Sequence, residues 1–278
     1  MRNSSFAKNL IKGINKRFKS ITKNPYKKVN LNWLNLKYYK HLPAGKLRSH
    51  QLFGKPLYFY SAPELLHALK EIFIDEIYKQ HLSDKAYVID CGANIGLSII
   101  YIKHLFPNAE IIAFEPDEKN FEVLSKNIES FGYKDVILRK EAVWKENTIL
   151  EFSNEGSMSS KIETGGGTNT TKVAAARLKD FLNRKINFLK IDIEGAEFDV
   201  INDLKDNLHF VENLFIEYHG SFEQNHELSS LLTLVTEHDF NYYIKEATPV
   251  YETPFYRNNS LKNPFDVQLN IFCFKAKK

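Results

Sequence analysis

The stretch Ala86-Tyr87-Val88-Ile89-Asp90-Cys91-Gly92-Ala93-Asn94-Ile95-Gly96 decides the fold. Tyr87, Val88 and Ile89 are strand formers in an unbroken apolar run, the pattern of a parallel strand buried on both faces. Asp90-Cys91-Gly92 ends the run, Gly92 and Gly96 bracket a turn, and Leu97 to Ile102 opens an apolar segment of helical length. A strand, a glycine turn and a helix form the first half of a nucleotide-binding βαβ unit. Glycines there admit a ligand where a Cβ would collide. The helix N-terminus presents unpaired N–H groups beside them.

The spacing is D-x-G-x-x-x-G rather than G-x-G-x-x-G. A dinucleotide site places a pyrophosphate on the helix N-terminus, and an acid such as Asp90 sits poorly beside one. The same acid suits the cationic amino group of S-adenosylmethionine, which has no phosphate and lays its zwitterionic end over the turn.

Beyond this unit the chain alternates strand and helix. Strands are expected at Glu110 to Phe114, Asp135 to Arg139, Asn187 to Ile191 and Leu214 to Ile216, with helices at Leu97 to Leu105, Lys119 to Phe131 and Leu228 to His238. A further helix runs from the Asp192–Glu197 segment to about Leu208. Ala142-Val143-Trp144 reads as the start of a hairpin reaching Phe152, and Lys172 to Ala176 as a further strand. The polar stretch Ser153 to Thr171, with Gly165-Gly166-Gly167, lacks periodicity and reads as a mobile surface loop. Tyr242 to Lys245 and Val267 to Phe274 follow each other with no helix between, so one of them should run antiparallel. This alternation implies an α/β fold, a doubly wound, mostly parallel Rossmann-like sheet with right-handed crossovers.

In such a sheet the ligand lies outside the carboxyl ends of the strands. Acids recur there: Asp90 on the first strand, Glu115 on the second, Glu141 after the third, and Asp192 on the fourth. A carboxylate offers two acceptor oxygens and can take both hydroxyls of a ribose. Glu115 lies 25 residues after Asp90, close to the ~20 of that role.

D-C-G-A-N-I-G at 90–96, F-E-P at 114–116, F-L-K-I-D-I-E-G-A-E at 188–197 and I-E-Y-H at 216–219 resemble the FkbM family of S-adenosylmethionine-dependent methyltransferases. The resemblance covers roughly residues 64 to 275. It implies a seven-stranded sheet, S-adenosylmethionine as cofactor and, in most members, O-methylation of a hydroxyl on a sugar, glycolipid or secondary metabolite. By position, Asp90, Gly92, Asn94 and Gly96 would hold the methionine part, and Glu115 with Pro116 the ribose. Glu141 and Ala142 would border the adenine, and Asp192 would face the sulfonium and the acceptor.

Methyl transfer needs an acceptor oxygen aligned with the S–CH₃ bond and a group to take its proton. His219 is the first choice as base, because an imidazole of ordinary pKa near ~6.5 titrates at neutral pH. Glu194 is the second, orienting His219 or taking the proton itself. Asp192, Glu194, Glu217 and His219 also carry the ligand types of a divalent metal, but the sequence assigns no metal. Glu197 reads as a solvated or first-turn acid. No D/N-P-P-Y/F element follows the fourth strand, which argues against an amino-methylating nucleic-acid enzyme.

At 278 residues, 43% hydrophobic and 26% charged, the chain holds one sizeable domain plus an appendage. Cys91 and Cys273, both in apolar strand surroundings, cannot form a disulfide framework and imply a reducing, cytoplasmic setting. Residues 1 to 63 carry fourteen Lys and Arg and no acid, leaving 24 basic and 34 acidic residues for the remainder. The division suggested is a basic arm at 1–60 and a catalytic domain at 61–278. Phe6, Leu10, Ile14, Phe18 and Ile21 share one face of a helix amid lysines, the composition of a peripheral contact on anionic membrane through residues 1–28, or of an arm that docks its apolar face on the body. Nucleic acid is disfavoured, since the acidic body would repel phosphate. Ser61 to His81 reads as a capped helix. The acceptor's identity and the oligomeric state are not readable from the residues.

Overall fold

The computed structural model describes residues 24–153, 162–163, 170–257 and 264–275. The basic amphipathic segment at 6–21 and the Gly165–Gly167 stretch lie outside the described residues. The chain divides into two compact units, residues 1–80 with 129–131, and residues 81–128 with 132–278.

In the first unit, α1 (Trp33–Tyr39) is capped by Asn32, whose side chain accepts the Asn35 N–H at 2.8 Å. β1 (Arg48–Leu52) and β2 (Lys55–Phe59) form an antiparallel hairpin that buries His50, Leu52, Leu57 and Phe59. The buried His50 ring is satisfied at both nitrogens, by the Val29 carbonyl at 2.7 Å and the Tyr39 hydroxyl at 3.2 Å. α2 (Ala62–Ala68) runs into a π-helical turn, Leu69–Ile74. The helix expected to reach His81 therefore stops early, and Ser61 makes no capping hydrogen bond. Asp75 closes it: its amide returns to the Lys70 carbonyl at 2.8 Å and its carboxylate pairs with the Lys70 ammonium.

The second unit is built on a seven-stranded sheet. Its strands are β3 (Tyr87–Cys91), β4 (Glu110–Phe114), β5 (Val136–Arg139), β10 (Ile186–Ile191), β11 (Val211–Gly220), β12 (Phe240–Glu246) and β13 (Val267–Lys275), in the order β12-β13-β11-β10-β3-β4-β5. The five strands from β11 to β5 are mutually parallel, and β13 runs antiparallel to both β11 and β12. The expected antiparallel strand is thus the last one, inserted between its predecessor and the rest. Every residue of β3 and β10 is buried, which explains their continuous apolar reading. Each fully buried Ile or Leu contributes about 1.5–3 kcal/mol.

Helices α3 (Leu97–Leu105), α4 (Glu118–Phe131), α5 (Glu197–Leu204) and α6 (Asn225–Glu237) complete the winding. The sheet order reverses between β3 and β10, so their carboxyl ends open the crevice where ligands of this architecture bind.

Four further strands form a separate sheet in the order β6-β9-β7-β8: β6 (Ala142–Trp144), β7 (Thr148–Ser153), β8 (Ile162–Glu163) and β9 (Thr170–Arg177). The hairpin expected from Ala142 to Phe152 does not form. β9 lies between its two halves, parallel to β6 and antiparallel to β7. Asn147, at the would-be turn, instead accepts the Arg177 N–H at 2.8 Å. Both cysteines are free and buried.

Candidate active site

At the end of β3, Asp90 has no exposed surface. One carboxylate oxygen takes the Ser98 hydroxyl from α3, and the other lies 3.3 Å from the Lys190 ammonium. Gly92 follows at φ +85°, and a Cβ there would stand 1.8 Å from the Asp192 carbonyl oxygen. Only glycine lets the β3 turn close against the end of β10. Asn94, also left-handed at φ +48°, donates its backbone N–H to Glu115 Oε2 at 2.8 Å. The Asp117 N–H reaches Glu115 Oε1 at 3.0 Å. Burial pushes the Glu115 carboxyl up to about 7, against the pull of these two amides.

The β10–β11 side is a network of side chains. Lys190, inside a fully buried strand, points its ammonium at the carboxyl end. It donates to the Gly92 carbonyl at 2.8 Å and pairs with Asp192 at 3.1 Å as well as with Asp90. Glu115 takes the amide of the same turn whose carbonyl holds Lys190, so Glu115 and Asp192 flank one turn with Asp90 buried beneath it. Glu197, in the first turn of α5, folds back to accept the Ile193 N–H at 3.1 Å and the Gly195 N–H at 3.0 Å. Its Oε1 also takes the His219 Nδ1–H at 3.2 Å. His219 Nε2 lies 3.6 Å from Glu194 and 3.7 Å from Glu217. The Phe265 ring packs on the imidazole, with centroids 4.8 Å apart.

Burial alone would depress the His219 pKa. Glu197, joined by Glu194 and Asp192, overrides it and holds the imidazole up at about 10. Burial lifts Glu194 to about 7 although His219 opposes it. The basis for choosing His219 as base, an ordinary imidazole pKa, is therefore corrected: without further ligands this ring is an imidazolium locked to Glu197. The solvated reading of Glu197 is corrected as well, since it is 1% exposed and the most heavily hydrogen-bonded acid of the site.

The other expected residues fall as follows. Gly96 opens α3 at φ +91°, and Pro116 is half-buried beside Glu115. Glu141 is ion-paired with Arg139, and Ala142 is buried in β6 against Ala175. Asp90 lies beneath the turn and holds Lys190 and Ser98. Lys190 was not legible as a site residue, although its sequence carries a signal: a lysine in an apolar strand, two residues before an acid, shares that acid's face.

A family model, the methyltransferase FkbM domain, matches residues 90–242. The chain belongs to this family of methyltransferases. It is 30% identical over 182 residues to Methyltransferase 1 of Beauveria bassiana (strain ARSEF 2860), covering 55% of this chain and 72% of that protein. It is 27% identical over 202 residues to Methyltransferase sdnD of Sordaria araneosa, covering 58% and 77%. Among solved structures, methyltransferase FkbM from Methylobacillus flagellatus KT aligns with a TM-score of 0.50 at 15% identity. That alignment covers 74% of this chain and 47% of the solved one, a likeness of fold.

Proposed function

We propose that this methyltransferase takes its methyl group from S-adenosylmethionine and transfers it to a hydroxyl oxygen of a saccharide, glycolipid or secondary metabolite. The observation that carries the reading is the rim itself. Asp90, Glu115 and Asp192 end three adjacent parallel strands around a turn whose Gly92 position has no room for a side chain. The residues fit the cofactor. By the family resemblance, Gly92, Asn94 and Gly96 would form the turn over which the methionine part lies, above Asp90. Each Glu115 oxygen accepts one backbone N–H and keeps a lone pair for a ribose hydroxyl. Pro116 flanks it, and Glu141 and Ala142 border the adenine end as the family resemblance implies. As the family resemblance implies, the half-buried Asp192 would present its carboxylate to the sulfonium. When bound, the cofactor supplies an electrophilic methyl group.

The chain's own residues orient the acceptor. Asp192 and Glu194 have side chains 25% and 27% exposed, whereas that of His219 is 3% exposed. The two carboxylates are therefore the groups an acceptor hydroxyl can reach. His219 acts through them, as a positioning residue fixed by Glu197.

Calorimetry with S-adenosylhomocysteine tests the cofactor: micromolar binding is expected, weakened at least tenfold in Glu115→Ala, and absence of binding to the native chain overturns the assignment. Methyl-labelled S-adenosylmethionine, followed by NMR of the product, tests the acceptor atom. A labelled ether carbon is expected; an amine or thioether carbon overturns O-methylation.

We place the enzyme in the cytoplasm, held at an anionic membrane by residues 1–28. The concentration of fourteen basic residues before residue 64 supports this. No helix of the described residues is long and apolar enough to cross a membrane. Cosedimentation with anionic liposomes that survives deletion of residues 1–28 overturns it.

A further inference from the structure

We propose that Asp192, Glu194 and His219 form a binding site for one divalent cation of the Mg²⁺/Mn²⁺ class. One ligand atom from each residue lies within 4.8 Å of the others. Two ligands each ~2.1 Å from a common ion are about 3–4.2 Å apart, and the 3.6 Å from His219 Nε2 to Glu194 falls in that range.

The imidazole supplies an independent observation. Its side chain is 3% exposed, and Nε2 makes no hydrogen bond among the described residues, although it faces Glu194 and Glu217. The opposite nitrogen is held by Glu197, which in turn is fixed by two backbone amides. A carboxylate behind one ring nitrogen with the other aimed at acids is the arrangement that orients a metal-bound histidine. Lys190 is shared between Asp90, the Gly92 carbonyl and Asp192. Among the described residues, Asp192, Glu194 and Glu197 face two cationic side chains, Lys190 and His219. The donor set is oxygen and imidazole with no thiolate, which selects a hard or borderline ion over a soft one.

The inference rests on the O-methyltransferase reading and deepens it. Asp192 and Glu194 face outward, so the ion would keep coordination positions open for an acceptor hydroxyl. Acceptors with an oxygen able to bind a metal are then the preferred substrate class.

The test uses the full chain, stripped with a chelator and titrated with Mn²⁺ alone by calorimetry and electron paramagnetic resonance. One site in the micromolar range is expected. Glu194→Gln should weaken it at least tenfold while leaving the metal-free thermal midpoint and S-adenosylhomocysteine affinity close to native, and Asp192→Asn should weaken it comparably. The Glu194 carboxylate is partly exposed and holds no buried lysine, which spares the fold where Asp192→Asn would take a partner from Lys190 and His219→Ala would unpartner Glu197. No Mn²⁺ uptake at millimolar concentration, or native-like uptake by both variants, overturns the site. A chain that binds S-adenosylhomocysteine but no Mn²⁺ loses this inference alone. A chain that binds Mn²⁺ but not the nucleoside keeps the site and loses the cofactor assignment.

Discussion

The two banks of the crevice solve one problem, holding charge at the carboxyl ends of buried strands, by different means. On the β3–β4 bank the backbone does the holding. Glu115 is gripped by two amides, and the turn closes because Gly92 lacks a side chain. On the β10–β11 bank side chains do it: Lys190 ties three groups from two strands, and Glu197 ties a loop to His219. A bank made of backbone tolerates no added atom but little depends on its charges. A bank made of charges depends on every partner, because removing one member leaves another buried and uncompensated.

The sharpest way to break the first bank is Gly92→Ala. Its methyl would lie 1.8 Å from the Asp192 carbonyl oxygen in a left-handed conformation. We expect a loss of about 4 kcal/mol or more, seen as collapse of soluble yield or of the thermal midpoint. Gly132→Ala is the control. Its φ of +70° carries the same conformational cost with nothing within 4 Å of the new atom, so about 1–2 kcal/mol is expected. Equal losses in the two variants would show that the close approach to β10 contributes nothing.

For the second bank, Lys190→Met keeps the stem and removes the charge. Asp90 and Asp192 then face each other uncompensated, and urea unfolding should show a loss of about 3–5 kcal/mol. Adding Asp90→Asn should restore part of it. Additive effects, with no recovery, would mean that the ammonium and the two acids are not coupled.

The same division explains what could be read from the residues. Glycine spacing and acids at strand ends are local signals, and they placed Asp90, Gly92 and Gly96 at the turn after β3 and Glu115 at the end of β4, together with the alternation that gives the parallel sheet. Glu197 and Lys190 act across strands and through a loop that turns back on itself, with Glu194 at φ +56°. The reach of Glu197 has no period, and that of Lys190 shows only in its two-residue offset from Asp192. An acid in the first turn of a helix reads as a helix-dipole partner, and nothing in its spacing reveals that it folds inward onto a histidine 22 positions away. The failed hairpin at Ala142 to Phe152 has the same origin. Its true partner, β9, arrives from beyond residue 169, and local alternation cannot distinguish it from the nearer strand.

The smallest expected effect concerns pH on the backbone-held bank. Glu115 is held at about 7 instead of 4.5 because burial disfavours its charge. The folded chain therefore keeps a proton that the unfolded chain releases between those values. This group's contribution to stability declines as pH rises from about 4.5 to about 7, and is flat on either side. A nucleoside whose ribose hydroxyls donate to the carboxylate favours the charged form, so binding runs the other way. Below pH 7 the site must first lose its proton. S-adenosylhomocysteine should bind about tenfold more weakly at pH 6 than at pH 8, about 1.4 kcal/mol by the usual conversion. In Glu115→Gln nothing titrates at this position, so that pH dependence should vanish whatever affinity remains. A native affinity that is level across this range, or a dependence that survives in the glutamine variant, would remove Glu115 from the ribose. It would leave the β3–β4 bank as a structural turn alone.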